Sequence, residues 1–144
     1  MRNSVLVTIL LILSGSSAAD TNSTMITKVT CTEAGLLSQR RQISADLVDH
    51  NIVESIPEFS KVNKRTLSIR NINSIRTAAA AVWESNGGGV DTPCAPIPDN
   101  IISLNVMRGT EGRLFSSPAN CVGLTQAKLI GLILCAFSGR DDCN

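Results

Sequence analysis

The clearest periodicity in the chain is an alternation of aliphatic and polar residues between positions 101 and 107. Ile102, Leu104 and Val106 occupy every second position. Successive side chains of a strand point to opposite faces of its sheet, so this spacing predicts a β-strand with one aliphatic face. The glycines of Gly109–Gly112 predict a turn directly after it.

The segment from residue 34 to residue 53 has a longer period. Its apolar residues recur at intervals of about three to four, with charged residues between them. This spacing predicts one amphipathic helix, ended by Pro57, which has no amide hydrogen to donate. The apolar stripe consists of Leu36, Leu37, Ile43, Leu47 and Val48.

The middle of the chain is less uniform. From Val62 to Ile75 the aliphatic spacing favours extended chain. Residues 76–85 are ambiguous, because the alanines at 78–81 favour a helix but also suit close backbone packing. The glycines at 87–89 predict a turn or loop, since glycine carries a high entropic cost in regular elements.

The apolar segment from Leu124 to Phe137 is long for a strand and short for a buried helix. Periodicity alone does not assign it. Cys135 lies near its end, where a disulfide would fix a strand in a small sheet, so we predict β structure here. A helical bundle of residues 32–53, 66–85 and 123–137 is the alternative.

Residues 1–19 have the three regions of a secretory signal peptide. Arg2 supplies a basic start, Val5–Leu13 an apolar core and Ser17–Ala19 the small residues of a cleavage site. We expect this leader to be removed and residues 20–144 to form a single secreted, extracellular domain. Asn22 begins an Asn-Ser-Thr sequon and is a candidate glycosylation site.

The cysteines all lie in the expected mature part, where an oxidising compartment would convert them to disulfides. Their odd number leaves one thiol after two internal bonds, and that thiol could join two protomers. We therefore expect a homodimer and choose the last cysteine as the unpaired one. The five are Cys31, Cys94, Cys121, Cys135 and Cys143.

Charge and hydropathy exclude two classes of partner. Arg2 is the one charged residue of the leader, so the mature chain carries 12 basic and 12 acidic residues. This balance gives no broad attraction to nucleic acid or anionic lipid. The apolar stretch Leu129–Phe137 is about half of the ~20 residues that a membrane span needs, so we expect no membrane insertion after leader cleavage.

The chain shows no set of residues typical of catalysis. His50, the one histidine, stands beside Asp49 without a nucleophile motif, so a solvated position is expected. The cysteine spacing and the predicted export favour disulfides over a zinc site. We predict no enzyme activity and no cofactor. Trp83 is either a core residue, which its rarity here favours, or a receptor anchor.

Three stretches of the C-terminal half share their order and approximate spacing with one family. Arg70–Ser74 is similar to a strand that leads into an S-x-S-P-W motif, and Ala95–Arg108 to an S-V-P-I/V segment with its strand. Cys121–Cys135 is similar to a last strand that runs into a C-x-C pair. In these features the chain resembles the interleukin-17 cytokines. It departs from them at Phe137, which occupies the second C-x-C position.

The resemblance implies a fold, a pairing of cysteines and a function. The fold would be mainly β, a small disulfide-stapled, cystine-knot-like antiparallel sheet with one N-terminal helix. Cys94 would bond to Cys135, and Cys31 and Cys121 would link chains or close the flank of the knot. The protein would be a secreted, dimeric cytokine ligand that binds and bridges cell-surface receptors. The alternative function is a secreted helical, disulfide-stabilised binding or effector protein without catalysis.

Overall fold

A computed structural model describes residues 25–35, 40–85, 94 and 100–144 of the protein. Short 3-10 turns lie at Pro57–Phe59 and Ala119–Cys121. The longer elements, in chain order, are β1 (Ile26–Gly35), β2 (Arg41–Asp46), β3 (Asn51–Ile56), β4 (Lys61–Thr66), α1 (Ile69–Glu84), β5 (Asn100–Arg108), β6 (Glu111–Pro118) and α2 (Leu124–Phe137).

The six strands form one antiparallel sheet in the order β4-β3-β2-β1-β5-β6. The first four strands make a meander, and the β5–β6 hairpin returns after α1 to pair with β1. The sheet is not closed, so β4 and β6 are its edges. This architecture confirms the prediction of a mainly β, antiparallel protein with disulfides, and it shows that the helical-bundle alternative is wrong.

One face of the sheet is apolar and packs against both helices. Val29 lies between Ala45 and Val106 in the strand register, and all three side chains are completely buried. The other face carries hydroxyl groups, such as the pair Thr30 and Ser44, whose oxygens are 3.0 Å apart. The protein therefore has a sheet layer and a helix layer, with its hydrophobic core between them.

The predicted N-terminal helix is wrong, because strands occupy that region. Ile43 and Ala45 are buried on one face of β2, which is the period of a strand. A turn follows, where Asp46 Oδ1 accepts hydrogen bonds from the amides of residues 48 and 49 and His50 has a φ of 54°. The apolar spacing of three to four residues combined Ile43 of β2 with Leu47 and Val48 of this turn.

Helix α1 includes residues 69–75, for which the sequence favoured extended chain. It also includes residues 76–84, for which the sequence left helix and extended chain open. Ser68 is its N-cap, and its hydroxyl accepts a hydrogen bond from the amide of Asn71 at 3.2 Å. Ile72, Ile75 and Ala79 are buried at helical spacing. The expectation of extended chain beyond Leu67 is therefore wrong, and the alanine run forms a helix that packs closely on the core.

Helix α2 lies where the sequence predicted a strand. Leu129, Leu132, Ile133 and Ala136 are buried at positions i, i+3, i+4 and i+7, so one stripe of the helix faces the core. Leu124 is 78% exposed at the outer end. The prediction failed because apolar residues also lie on the solvent side of α2, and this hides the helical period in the sequence.

Candidate functional site

The cysteines pair differently from the expectation. Cys94 bonds to Cys121, and Cys135 bonds to Cys143. The expected Cys94–Cys135 bond and the unpaired Cys143 are both wrong, because the C-terminal tail returns to the last turn of α2. Neither bond joins two strands of the sheet, so these disulfides do not make the expected knot within it. Asn22 lies outside the described residues.

Cys31 is the free cysteine of the described residues. It lies in the centre of the sheet, opposite Ile43 of β2 and Leu104 of β5, and packs against the core. Burial and, to a lesser degree, the nearby Glu33 carboxylate raise its pKa to about 11, against the opposing effect of Arg41. The group is therefore a neutral thiol at physiological pH and a poor nucleophile.

The structure also locates the other residues that the sequence singled out. His50 is exposed in the β2–β3 turn and is in no cluster of potential metal ligands among the described residues. Trp83 is 4% exposed and belongs to the core. This burial agrees with the interpretation of Trp83 as a core residue, which the sequence favoured. A side chain this buried does not protrude as a receptor anchor would.

Trp83 nevertheless forms one wall of a chemically distinct cavity. The last half of α1 presents Arg76, Ala80, Trp83 and Glu84 on one face, at positions i, i+4, i+7 and i+8. The beginning of β1 and the end of β5 close the other side, where Ile26 and Arg108 are register partners. The cavity has a volume of about 270 Å³ and is lined by Met25, Ile26, Arg76, Ala80, Trp83, Glu84 and Arg108.

Arg76 is held in this arginine pocket by the main chain of two strands. Its Nε donates to the carbonyl oxygen of Ile26, and one terminal nitrogen donates to the carbonyl oxygen of Leu47, each at 3.3 Å. A guanidinium has five N–H donors, so these two bonds fix its position without using all of them. Carbonyl oxygens carry no formal charge, and the positive charge of Arg76 therefore remains uncompensated by these partners.

Two further arginines surround the Trp83 indole. The Arg113 guanidinium lies 4.1 Å from the ring centroid, and that of Arg108 lies 5.6 Å from it. Arg113 also donates to the Trp83 carbonyl oxygen at 3.4 Å and lies 3.7 Å from the Glu111 carboxylate. The indole thus stabilises cations through its ring electrons and orients them at this end of the sheet.

The pocket combines a positive lining with apolar walls. Ile26 and Trp83 are almost completely buried, and Ala80 packs against the core. Among the described residues of the lining, Arg76 and Arg108 are basic and Glu84 is acidic. The arrangement can hold an anionic group by hydrogen bonds and charge.

Other cavities are chemically weaker. A larger one of about 390 Å³ lies between the helices, where Lys128 is the charged side chain among the described lining residues. Another, of about 320 Å³, lies on the open face of the sheet, where Lys28 and Asp46 are register partners of opposite charge. In the described part of the chain, neither lining combines two like charges with buried apolar walls, as the arginine pocket does.

This pocket was not predicted from the sequence, although the spacing of its residues on α1 is a helical pattern. Arg76, Ala80, Trp83 and Glu84 have the spacing of one face of a helix. The sequence did not assign residues 76–85 to a helix, so it did not predict that these side chains share a face. The contribution of Arg108 and Met25 depends on the pairing of β1 with β5, two strands that are far apart in the sequence. The positions of Arg108 and Met25 in the pocket are therefore visible only in the folded protein.

No protein-family model matches the chain, and a search of curated proteins finds no match either. Within the described residues, no helix is both long and apolar enough to cross a membrane.

Proposed function

We propose that this protein is an exported, disulfide-stabilised binding protein without catalytic activity, which recognises a negatively charged group of its partner in the arginine pocket. The position of Arg76 carries the proposal. Its guanidinium is half-buried and fixed by two carbonyl oxygens, and no carboxylate of the described residues forms an ion pair with it, so it presents a positive charge to the cavity. An anionic ligand would supply that counter-charge.

Export is part of the proposal and has two supports. The first is the leader-like pattern of residues 1–19, and the second is the pair of disulfides in the structure. Disulfides persist in oxidising compartments and are rare in the cytosol. An extracellular location would also suit a small domain that uses cross-links to restrict its unfolded chain.

Receptor bridging of the interleukin-17 type is a narrower form of this proposal and stays a prediction. Its partner would be a cell-surface receptor, and its active form would be a homodimer. The segment that resembled the last strand of that family is helix α2, and the cysteine expected to bond to it bonds to Cys121 instead. We therefore base the proposal on the arginine pocket rather than on the resemblance.

Nuclear magnetic resonance can test anion recognition directly. We expect acetate or inorganic phosphate, titrated against chloride at constant ionic strength, to shift the Trp83 indole and Arg76 Nε signals in a saturable manner. The variant Arg108→Gln should weaken binding about tenfold or more, because it removes a cation from the pocket lining. Lys128→Gln, which removes a cation from the other cavity, is the matched control and should bind normally.

Two results would contradict anion recognition by the pocket. Shifts that do not saturate, or that are the same in Arg108→Gln and Lys128→Gln, would show that small anions only screen the surface charge. The proposal of an anion-binding pocket would then be wrong.

A further inference from the structure

We infer that the open face of the sheet carries a second binding site, separate from the arginine pocket, for a neutral disaccharide. Two cavities meet there at the register partners Lys28 and Asp46, which line both of them. We call the two cavities together the open-face groove. This site is independent of the arginine pocket, because it lies on the side of the sheet that faces away from α1 and α2.

The larger cavity of the groove extends over three neighbouring strands. Its volume of about 320 Å³ falls within the ~300–1,000 Å³ of typical small-molecule sites. Its residues form cross-strand rows on β1, β2 and β3, so they extend about 10 Å across the strands and about 13 Å along them. The adjoining cavity, of about 240 Å³, lies beside the turn between β2 and β3. The groove therefore has room for an elongated ligand.

Lys28 and Asp46 present opposite charges in the middle of the groove. They are direct partners in the register, yet the ion pairs of the described residues all lie elsewhere. Asp46 Oδ1 accepts hydrogen bonds from the amides of residues 48 and 49 at 3.0 and 2.8 Å, which fixes the carboxylate. Its Oδ2 accepts no hydrogen bond from the described part of the chain. A small anion at Lys28 would also lie next to Asp46, whereas sugar hydroxyls both donate and accept and so suit both groups.

The rest of the lining carries neutral hydrogen-bonding groups that match hydroxyls. The hydroxyls of Thr30 and Ser44 bond to each other, and together they keep one proton to donate as well as acceptor positions. The side-chain amides of Gln42 and Asn51 form no hydrogen bond with the described residues. They can therefore donate to a ligand and accept from it without first breaking a bond within this part of the protein. The neutral polar residues of the larger cavity are Thr30, Gln42, Ser44, Asn51 and Ser55.

Apolar side chains lie beside these polar groups in both cavities. Val53 is the register partner of Ser44 in the larger cavity, and Met107 is that of Lys28 in the smaller one. A sugar ring presents C–H groups on its faces and hydroxyls around its edge, which suits such a mixed lining. Because Lys28 and Asp46 stand between the two cavities, one ring would lie on each side of them. Two linked rings therefore fit the groove better than one.

Nuclear magnetic resonance tests this site with four neutral disaccharides: maltose, cellobiose, lactose and N,N′-diacetylchitobiose. We expect at least one of them to shift the side-chain amide signals of Gln42 and Asn51 in a saturable manner, with a dissociation constant in the millimolar range. Its affinity should be the same in low and high sodium chloride, because a neutral ligand has no charge to screen. Glycylglycine, which carries both charges but no hydroxyl group, should not bind.

Two pairs of variants locate the sugar. Asp46→Asn keeps an oxygen for the amides of the turn but removes the charge, and it should weaken binding about tenfold, as expected for the loss of a hydrogen bond to a charged group. Lys28→Gln should have a similar effect. The matched controls are Asp141→Asn and Lys61→Gln, which are exposed outside the groove and should bind normally. Arg108→Gln, in the arginine pocket, should also bind normally.

Three results would overturn the disaccharide site. The first is that none of the four sugars gives saturable shifts. The second is that the affinity in Asp46→Asn and Lys28→Gln equals that of the wild type, which would place the sugar elsewhere. The third is that glycylglycine binds as tightly as the sugar, which would show that only the two charges are recognised. None of these results bears on the arginine pocket, which is tested with acetate and phosphate.

Discussion

At the scale of single residues, the buried polar side chains explain how the C-terminal tail is held. Asn71 is 2% exposed, and its amide group binds the tail from both sides. Its Nδ2 donates to the Arg140 carbonyl oxygen at 2.6 Å, and its Oδ1 accepts from the Cys143 amide at 3.2 Å. The same tail carries Cys143 to its disulfide with Cys135.

Replacement of this amide should destabilise the protein. Asn71→Ala would leave the Arg140 carbonyl and the Cys143 amide without their partner, and we expect the free energy of unfolding to fall by about 1–3 kcal/mol. Asn73→Ala, two residues further along the same helix and exposed, should change it by less than about 0.5 kcal/mol. Urea unfolding measures both. Equal effects would show that Asn71 does not hold the tail.

Glu54 has a buried carboxylate on the covered sheet face and confers a pH dependence. Its two oxygens accept hydrogen bonds from Asn63 Nδ2 at 2.9 Å and Arg41 Nε at 2.6 Å. These bonds, that of Asn63 first, lower the pKa of Glu54 below 4.5 against the opposing effect of burial. The ionised form is thus favoured by folding, and its stabilisation is present above pH 4.5.

We expect the stability that Glu54 contributes to disappear as the pH falls through its folded pKa. At pH 7, Glu54→Gln should be about 1–2 kcal/mol less stable than the wild type, since it replaces a charge-assisted bond to Arg41. The difference should shrink from about pH 4.5 downward, when the wild-type carboxylate is protonated. Denaturant unfolding between pH 3 and pH 7 tests this, and a difference independent of pH would contradict it.

At the scale of elements, two glycines near the C-terminus have opposite roles. Gly131 lies in the middle of α2, and a Cβ there would meet no atom within 4 Å. Gly139 follows the helix with a φ of 91°, and a Cβ there would lie 2.7 Å from Arg65 Nη1. Arg65 in turn lies 5.6 Å from the ring centroid of Phe137. Only the second glycine is required by the fold.

Alanine at these positions should therefore change stability in opposite directions. Gly131→Ala should stabilise the protein by about 0.5–1 kcal/mol, because alanine restricts the unfolded chain and favours a helix. Gly139→Ala should destabilise it by about 1–2 kcal/mol, because the positive φ is strained for alanine and Arg65 must move. Thermal unfolding of the two variants gives the comparison. Destabilisation by Gly131→Ala would contradict the exposed position of that residue.

At the scale of the whole molecule, the location of the free thiol bears on assembly. The structure leaves Cys31 unpaired, in the middle of the sheet and against the core rather than at a terminus. Cys31 is only partly exposed, so a disulfide between two protomers would have to reach a thiol that packs against the core. The homodimer expected from the odd cysteine count stays a prediction.

Labelling of Cys31 tests this view of the molecule. Because its pKa is raised to about 11, we expect iodoacetamide at pH 8 to modify the native protein at least tenfold more slowly than the urea-unfolded protein. Electrophoresis without reductant should show a monomer. Rapid labelling of the native protein, or a dimer that reductant dissociates, would show that Cys31 is accessible.

The same shift has a consequence for stability at alkaline pH. The thiol of the unfolded chain ionises near its ordinary pKa of 9.0, whereas the folded thiol ionises near 11. Folding thus favours the neutral thiol, and the contribution of Cys31 to stability falls between these two values as the pH rises.

Some of this protein could be predicted from the sequence by itself. Its local patterns determined the strand of residues 101–107 and the turn after it, because alternation and glycine act over a few neighbouring residues. The mainly β class, which the resemblance implied, is confirmed, although residues 69–75 and 124–137 are helices and the segment predicted as a helix forms strands. The five cysteines indicated disulfides, although their number alone did not determine which sulfur atoms meet.

Only the tertiary structure decided the remaining features. Residues 76–84 and 124–137 became helices because each buries one stripe against the sheet, a preference that local spacing did not reveal. The arginine pocket required α1 to pack beside the junction of β1 and β5, which brings Arg76 to Ile26 and Arg108. Contacts between residues far apart in the chain depend on the complete fold, and the site exists only through such contacts.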